Sequence, residues 1–220
     1  TQYYLGRKDK LILSKGHAVP IIYAALHEMG EITDEELDLF REIDSPLQGH
    51  PDKERLPILD ATTGSLGQGL SIAIGHSLGK KLRNEEGSVF CVMGDGEMQE
   101  GSNYEAAMSA SKFELDNLIM ILDRNKLQGT PTEDVMPIEP IEEKWKSFGW
   151  ATKTIDGHNM EHIVKTLSSI PLEKNKPTAI IANTVKGKGI SFIENTARSH
   201  VLQFTKKEMD DALAELGGNQ

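Results

Sequence analysis

Several features that are common in proteins are scarce in this chain of 220 residues. It has one cysteine, Cys91, so no intrachain disulfide can form and no cluster of thiolates can hold zinc or an iron-sulfur centre. No apolar run approaches the roughly 18 residues of a membrane span. The opening Thr1-Gln2-Tyr3-Tyr4 matches neither a signal peptide nor an initiating Met. We therefore expect a soluble, cytoplasmic protein without a membrane partner, and a chain that is incomplete at its front.

Positive charge is also in the minority, with 24 Lys and Arg against 34 Asp and Glu and a net charge of −10 at pH 7. Binding to duplex nucleic acid depends mainly on basic side chains that neutralise phosphates, so we expect no nucleic-acid partner. The composition, 38% hydrophobic and 26% charged, is sufficient for a real core. Because the chain has no internal repeat, low-complexity stretch or long linker, residues 1–220 are predicted to form a single domain.

The hydrophobic pattern alternates between strands and helices. Short apolar runs predict buried strands near residues 89–93, 118–122 and 179–182. Helices are predicted near residues 18–29, 34–43, 68–83, 102–112, 159–169 and 205–216. This alternation favours a three-layer α/β/α fold, in which helices cover both faces of a mostly parallel sheet. Ligands of such folds bind beyond the carboxyl ends of the strands.

Polar residues follow the first two of these strands. Gly94-Asp95-Gly96-Glu97 comes directly after one strand, and Asp123-Arg124-Asn125 comes after the next. If the strands are neighbours, the Asp95 carboxylate and the Asn125 amide oxygen converge on one hard cation, for which Mg²⁺ is the natural candidate. The two glycines would let a diphosphate approach the backbone. A tight turn explains the glycine-aspartate-glycine triplet alone, and the spacing would also suit another magnesium-phosphate enzyme, such as a hydrolase.

These two segments resemble the signature of thiamine diphosphate enzymes, a Gly-Asp-Gly followed after a crossover by Asn. Four further segments resemble transketolase motifs in the right order: Leu13-Ser14-Lys15-Gly16-His17, Gln48-Gly49-His50-Pro51, Thr63-Gly64-Ser65-Leu66-Gly67-Gln68-Gly69 and Thr184-Val185-Lys186-Gly187-Lys188-Gly189. The resemblance covers residues from about 5 to 200. It implies the thiamine diphosphate-binding fold. In this family one module binds the diphosphate of the cofactor and another binds its aminopyrimidine, and this chain resembles only the diphosphate-binding module.

The resemblance also implies a set of ligand positions. By the family pattern, Asp95, Asn125 and the backbone carbonyl of Leu127 hold the metal, which is Mg²⁺ or, in its place, Ca²⁺ or Mn²⁺. Ser65 stands where the family often has Pro, a mild change because this contact is made largely through backbone and shape. The residues expected to contact thiamine diphosphate are His17, Gly64, Ser65, Leu66, Gly96, Glu97, Asn125 and His200.

Three histidines, His17, His50 and His200, match catalytic positions of the family. Transfer of a two-carbon fragment from a ketose to an aldose requires protons to move at each step, and histidine both donates and accepts protons near neutral pH. The start of a helix at His17 and a simple turn at His50 explain these residues without function, and the residues after His200 depart from the family pattern. Lys186 and Lys188 could meet a sugar phosphate, although a solvated turn explains them more simply.

The predicted function is therefore that of the diphosphate- and Mg²⁺-binding subunit of a split transketolase. It would transfer a two-carbon ketol unit from a ketose phosphate to an aldose phosphate. In the family, the glutamate that meets the aminopyrimidine lies in a separate domain, and residues 186–220 are too few to build one. We expect a second subunit that carries the pyrimidine-binding and C-terminal domains, a heterotetramer with two copies of each subunit, and no turnover by this chain alone.

Two alternative functions stay open. Another thiamine diphosphate ketol transferase, acting on modified sugars such as sulfonated ones, would carry the same motifs, because substrate recognition also draws on loops and on the partner. A non-enzymatic subunit could retain the fold for assembly or regulation. The intact pair of Asp95 and Asn125 speaks against that second alternative.

Overall fold

A parallel sheet forms the centre of the computed structural model, which describes residues 8–201 and 203–217. The start of the chain, predicted to be incomplete, lies outside the described residues. Within them the strands are Lys10–Leu13 (β1), Val89–Gly94 (β2), Leu118–Arg124 (β3), Ala151–Asp156 (β4) and Thr178–Asn183 (β5). Their order across the sheet is β1-β2-β3-β5-β4, and each neighbouring pair is parallel. The predicted α/β class is confirmed.

Helices connect the strands, as parallel pairing requires. They span Pro20–Glu28 (α1), Asp34–Asp38 (α2), Gly69–Arg83 (α3), Ser102–Lys112 (α4), Thr132–Val135 (α5), Ile141–Ser147 (α6), Met160–Leu167 (α7) and Lys206–Glu215 (α8). The Thr33 and Thr205 side chains each cap a helix and form a capping box with the Glu three residues later. No helix in the described ranges is long and apolar enough to cross a membrane.

Some elements differ from those that the sequence pattern predicts. The helix predicted over 34–43 is wrong in length, because it ends at Asp38 and the chain then turns through Arg41 and Asp44, which both have positive φ angles. The pattern also does not predict β1, β4, α5 or α6. Strand β1 has only four residues, and α5 and α6 are short and each follow a proline. The three predicted strands are confirmed.

Alternate side chains of the central strands pack on opposite faces of the sheet. On one face, residues of β2 and β3 form a core with α3, α4 and α6 that includes Cys91, Met93, Met120, Leu122, Ala73, Ala107 and Trp145. On the other face, Phe90, Ile119 and Ile180 pack with Ile163 and Leu167 of α7. The sheet is therefore covered by helices on both faces, and its strands are apolar on both sides, as buried parallel strands generally are.

The register of the sheet aligns the carboxyl ends of its inner strands. Gly94 of β2 is paired with Asp123 of β3, and Arg124 of β3 with Asn183 of β5. The expectation that the two polar segments follow neighbouring strands is confirmed. Four segments therefore leave the sheet at the same edge and bring together Ser14, Lys15, Asp95, Asn125, Thr184 and Lys186.

Candidate functional site

A cleft of about 100 Å³ lies at this edge of the sheet. Most of the residues that the sequence analysis predicts for the site line it: His17, Leu66, Asp95, Gly96, Glu97, Asn125, Leu127 and His200. Four other residues complete the lining: Lys15, Gly94, Gln128 and Lys186. The structure therefore brings segments that are far apart in the chain into one concave site.

Three predicted site residues, His50, Gly64 and Ser65, do not line the cleft. Gly64 packs on the His50 ring so closely that an added Cβ would lie 3.0 Å from the His50 Cδ2 atom. Gly16 lies against the same segment, where an added Cβ would come within 2.9 Å of the Thr63 carbonyl oxygen. The motifs around these residues thus contact one another, and the roles of His50, Gly64 and Ser65 stay predictions.

Glu97 is a buried carboxylate that joins three of the motifs. The residue is only 2% exposed. It accepts hydrogen bonds from the Ser14 hydroxyl, from the Gly67 N–H at 2.9 Å and from the Gly94 N–H at 3.2 Å. Both carboxylate oxygens are therefore engaged by this chain. A direct contact of Glu97 with the cofactor stays a prediction, and its observed bonds describe a residue that holds the loops of the cleft together.

Asp95 is held by four hydrogen-bond donors. Its Oδ1 atom accepts from the Gly96 N–H at 2.7 Å and from the Thr132 hydroxyl at 3.2 Å. Its Oδ2 atom accepts from the Arg124 guanidinium at 3.0 Å and from the Lys126 N–H at 2.5 Å. Lys126 adopts a left-handed backbone with a φ of 67°, which is costly for a residue other than glycine and marks a constrained turn.

The Asn125 side chain is oriented by its neighbours. Its Nδ2 atom donates to the Asp123 carboxylate at 3.0 Å, and its Oδ1 atom accepts from the Leu127 N–H at 3.0 Å. An amide oxygen has two lone pairs, so Oδ1 retains capacity for a cation. Asp123 also bonds the Lys15 ammonium and the Thr184 hydroxyl. Burial alone would raise the pKa of Asp123, but the charge of Lys15 and these hydrogen bonds together lower it.

Basic side chains from two loops share the cleft. The rings of His17 and His200 lie 5.6 Å apart, and the Nδ1 atom of His200 is buried without a hydrogen-bond partner among the described residues. Lys15 and Lys186 also line the cleft, and Lys186 forms no ion pair in the described part of the chain. An orphaned buried nitrogen beside two ammonium groups is the chemistry of a site for an anionic, oxygen-rich ligand.

The same surroundings lower the pKa of three of these groups. Burial, followed by the charge of Lys15 and the nearby His200, lowers the pKa of His17 from its ordinary 6.5 to about 4. Burial and then the charges of Lys186 and Lys15 lower the pKa of His200. Burial and the charge of Lys15 lower the pKa of Lys186. His17 is therefore neutral at pH 7, and before an anion binds it can donate one hydrogen bond and accept another.

The donor atoms of the cleft fit a hard cation. The described residues contain no group of three or more His, Cys, Asp or Glu side chains placed to hold a metal. A metal here would depend on a mixed set of oxygens, from the Asp95 carboxylate, the Asn125 amide and the Leu127 carbonyl. Mg²⁺ prefers such oxygen ligands and commonly completes its six positions with phosphate oxygens and water. The residues present therefore fit a divalent cation together with a diphosphate.

Comparison with known proteins identifies the family. The family model described as transketolase, thiamine diphosphate binding domain, matches residues 1–220 of this chain. The chain belongs to this family.

Similar curated proteins include two that are named as transketolase subunits. The chain is 42% identical over 210 residues to the 6-deoxy-6-sulfo-D-fructose transketolase subunit of Clostridium sp. (strain MSTE9), covering 95% of this chain and 76% of that protein. It is 40% identical over 212 residues to an apulose-4-phosphate transketolase subunit of Phocaeicola vulgatus, covering 96% and 75%. Human transketolase is 40% identical over 210 residues, covering 94% of this chain but only 33% of the human protein.

Solved transketolase structures share the fold. The enzyme from Campylobacter jejuni has a TM-score of 0.89 and 32% identity, covering 100% of this chain and 36% of the Campylobacter chain. The enzyme from Leishmania mexicana has a TM-score of 0.88 and 26% identity, covering 97% of this chain and 34% of that chain. The similarity confirms the thiamine diphosphate-binding α/β fold that the sequence motifs predict.

Two residues of the cleft, Lys15 and Gln128, have no role in the prediction from sequence, and a third, Lys186, has a simpler interpretation there. Lys15 lies in the Leu13-Ser14-Lys15-Gly16-His17 motif, which was the available signal, but it follows β1, a strand that the hydrophobic pattern does not predict. Gln128 covers Gly96, where an added Cβ would lie 2.6 Å from the Gln128 Oε1 atom. Lys186 is half-buried in the cleft, whereas a solvated turn is the simpler interpretation of its sequence. The glycine-spaced motif was the available signal for Lys186.

Replacing Glu97 by Ala should lower the free energy of unfolding by about 3 kcal/mol or more, because three hydrogen-bond donors lose their acceptor at a cost of about 1–3 kcal/mol each. Urea unfolding of the complete protein measures the change. Glu105→Ala is the matched control, since Glu105 is exposed on α4. Equal unfolding midpoints for the two variants would show that Glu97 does not hold the loops together.

Replacing Lys186 by Met should raise the pKa of both His17 and His200, because the charge of Lys186 disfavours protonation of each ring. NMR titration of the imidazole protons measures both values. The fold binds the His17 proton more weakly than the unfolded chain does, so stability declines as the pH falls from 6.5 toward about 4. The variant should lose less stability in this range.

Lys188→Met is the matched control for this titration. Lys188 lies two residues away in the same loop, and its ammonium group pairs with Glu194 at 3.2 Å. It does not contribute to the lowered pKa of either histidine. A shift of equal size in the Lys188 variant would mean that the loop as a whole, rather than the Lys186 charge, sets the histidine pKa values.

Proposed function

We propose that this chain is the diphosphate- and metal-binding subunit of a transketolase that works in the cytoplasm. Its reaction moves a two-carbon ketol unit from a ketose phosphate to an aldose phosphate. The proposal rests on one observation: Asp95 and Asn125 line the same cleft as Lys15 and Lys186. The chain that forms this cleft belongs to the transketolase family. Thiamine diphosphate, when bound, supplies the electron sink that this transfer needs.

The oxygen ligands of the cleft would bind the metal, and its basic and glycine residues would bind the diphosphate. Asp95, Asn125 and the Leu127 carbonyl hold Mg²⁺, which Ca²⁺ or Mn²⁺ could replace. Lys15 and Lys186 add positive charge beside the diphosphate, and the glycine backbone at residues 94 and 96 lets the phosphate oxygens approach. Leu66 contributes an apolar contact to the middle of the cofactor, with Gly64 and Ser65 in the adjoining turn.

The histidines hold and move protons on the substrate. His17, which is exposed, and His200, which is half-buried, both line the cleft. Each can donate to one substrate hydroxyl while accepting from another. His50 packs against the Gly64 turn beside them and would meet the part of the sugar that extends past the cofactor. A bound diphosphate would offset the two lysine charges, and this would raise the pKa of both histidines toward the range where proton transfer is more effective.

The partner in this proposal is a second subunit that carries the pyrimidine-binding and C-terminal domains, in a heterotetramer with two copies of each chain. Two relatives with 42% and 40% identity are themselves named as transketolase subunits. Within the described residues, the carboxylates that line the cleft are those of Asp95 and Glu97, and donors of this chain hold both. The glutamate that meets the aminopyrimidine would therefore come from the partner.

Native mass spectrometry of the complete protein from its own source, with thiamine diphosphate and Mg²⁺ present, tests the assembly. We expect a stoichiometric second chain with bound cofactor. In that complex, Asp95→Ala should abolish the Mg²⁺-dependent retention of the cofactor measured by calorimetry, because the carboxylate ligand is lost. Asp210→Ala, at an exposed position on α8, should retain it. A cofactor-free single chain, or full retention by the Asp95 variant, would contradict the proposal.

A modified sugar is the second candidate substrate. It is favoured by the 42% identity with the 6-deoxy-6-sulfo-D-fructose transketolase subunit, and by the 40% identity with the protein named for apulose-4-phosphate. A donor screen on the assembled complex separates the candidates, with the released aldose measured by mass spectrometry. A higher kcat/KM for fructose 6-phosphate or xylulose 5-phosphate than for the sulfonated donor would support the sugar-phosphate reaction, and each tenfold difference corresponds to about 1.4 kcal/mol in transition-state binding. The reverse order would establish the modified sugar.

A further inference from the structure

We propose that Arg124 is a positioning residue for the metal site, because its guanidinium fixes the Asp95 carboxylate and thereby sets the affinity of this chain for a divalent cation. The proposal rests on the proposed function, since it concerns the same metal. The sequence motifs give Arg124 no role, although it stands between Asp123 and Asn125. Its role follows from contacts that only the folded chain shows.

The sheet register places Arg124 beside Asp95. Gly94 is paired with Asp123 across β2 and β3, so the next residues along the two strands lie side by side. The Arg124 Nη1 atom donates to the Asp95 Oδ2 atom at 3.0 Å, and the two side chains are only 3% and 2% exposed. A charge-assisted hydrogen bond that is shielded from water in this way constrains both partners.

The charge of Arg124 is shared with two further carboxylates. Its Nε and Nη2 atoms donate to Glu139 at 3.1 Å and 2.7 Å, and Nη2 also donates to Glu133 at 3.1 Å. One positive charge therefore faces three negative charges. Because Glu133 and Glu139 take up part of the guanidinium charge, Asp95 is held in place without being fully neutralised, and it remains attractive to a cation.

The two oxygens of the Asp95 carboxylate have different hydrogen-bond partners. Arg124 and the Lys126 N–H anchor Oδ2. Oδ1 accepts from the Gly96 N–H at 2.7 Å and from the Thr132 hydroxyl at 3.2 Å. The Thr132 contact is the longest of the four, and its hydrogen can rotate to another acceptor, which frees one lone pair of Oδ1. Oδ1 is therefore the oxygen that can bind a cation while Oδ2 keeps the carboxylate in orientation.

The test measures Mn²⁺ binding by electron paramagnetic resonance in the complete, assembled protein with thiamine diphosphate present. Arg124→Met should raise the dissociation constant for Mn²⁺ by about 10- to 100-fold, the usual effect of losing a group that orients a metal ligand. Arg124→Lys keeps the charge but not the planar fork and should recover part of the affinity. Arg83→Met makes the same charge change at an exposed position on α3 and should bind Mn²⁺ like the parent.

Glu139→Ala separates positioning of Asp95 from general support of the loop. This change removes the anchor between Arg124 and residues 139–141 but leaves the bond from Arg124 to Asp95. We expect a clearly smaller loss of Mn²⁺ affinity than in Arg124→Met. Equal losses in the two variants would overturn the inference, because the bond from Arg124 to Asp95, which Glu139→Ala retains, would then not set the affinity.

The remaining outcomes are also decisive. If the parent complex binds no Mn²⁺, the proposed function itself fails. If the parent binds and a folded Arg124→Met variant, judged by circular dichroism, binds equally tightly, only the positioning role is overturned. If Arg124→Met does not fold, the Mn²⁺ affinity of Arg124→Lys is the test. An affinity equal to that of the parent would contradict the proposed role of the guanidinium group.

Discussion

The hydrogen bonds of the Glu97 carboxylate connect three loops that are distant in the sequence. Ser14 follows the first strand, Gly67 precedes the long helix α3, and Gly94 ends the second strand. A buried carboxylate is costly unless its oxygens are hydrogen-bonded, so these loops must close around it together. The cleft depends on this closure, because the side chains of Lys15 and His17 come from the residues directly after Ser14. The buried Glu97 carboxylate thus determines the shape of the cleft that would bind the diphosphate and the metal ion.

Much of the fold follows from the hydrophobic pattern, and the exceptions have physical causes. The inner strands β2, β3 and β5 are apolar on both faces, so a short continuous run identifies each of them. Strand β4 lies at the edge of the sheet and alternates with exposed Thr154 and Asp156, which weakens its signal. The capping box fixes where helix α2 begins, and this signal is local in the sequence. The path of the chain after the helix involves residues farther along, as in the hydrogen bond from the Arg41 N–H to the Leu47 carbonyl, which the local pattern does not show.

The site could be predicted as far as strand adjacency and the family motifs allow. Parallel neighbours with a crossover place Asp95 and Asn125 at one edge, and the structure confirms that adjacency. What spacing cannot show is which side chains meet across loops. The contact of Gln128 with Gly96, the left-handed turn at Lys126 and the lowered pKa of His17 all depend on three-dimensional surroundings. The sequence names the residue types, and the packing determines their electrostatics.

The alignment of strand ends has a consequence for how the length of this chain can vary. The segments of the cleft leave the carboxyl ends of β1, β2, β3 and β5, whereas the loops at the opposite end, such as residues 84–88 and 171–177, lie away from it. Insertions or deletions in those opposite loops leave the strand register unchanged, and loop lengthening costs little conformational entropy. One residue added to a strand would turn its following side chains to the other face. Length variation compatible with an intact cleft is therefore confined to one end of the sheet.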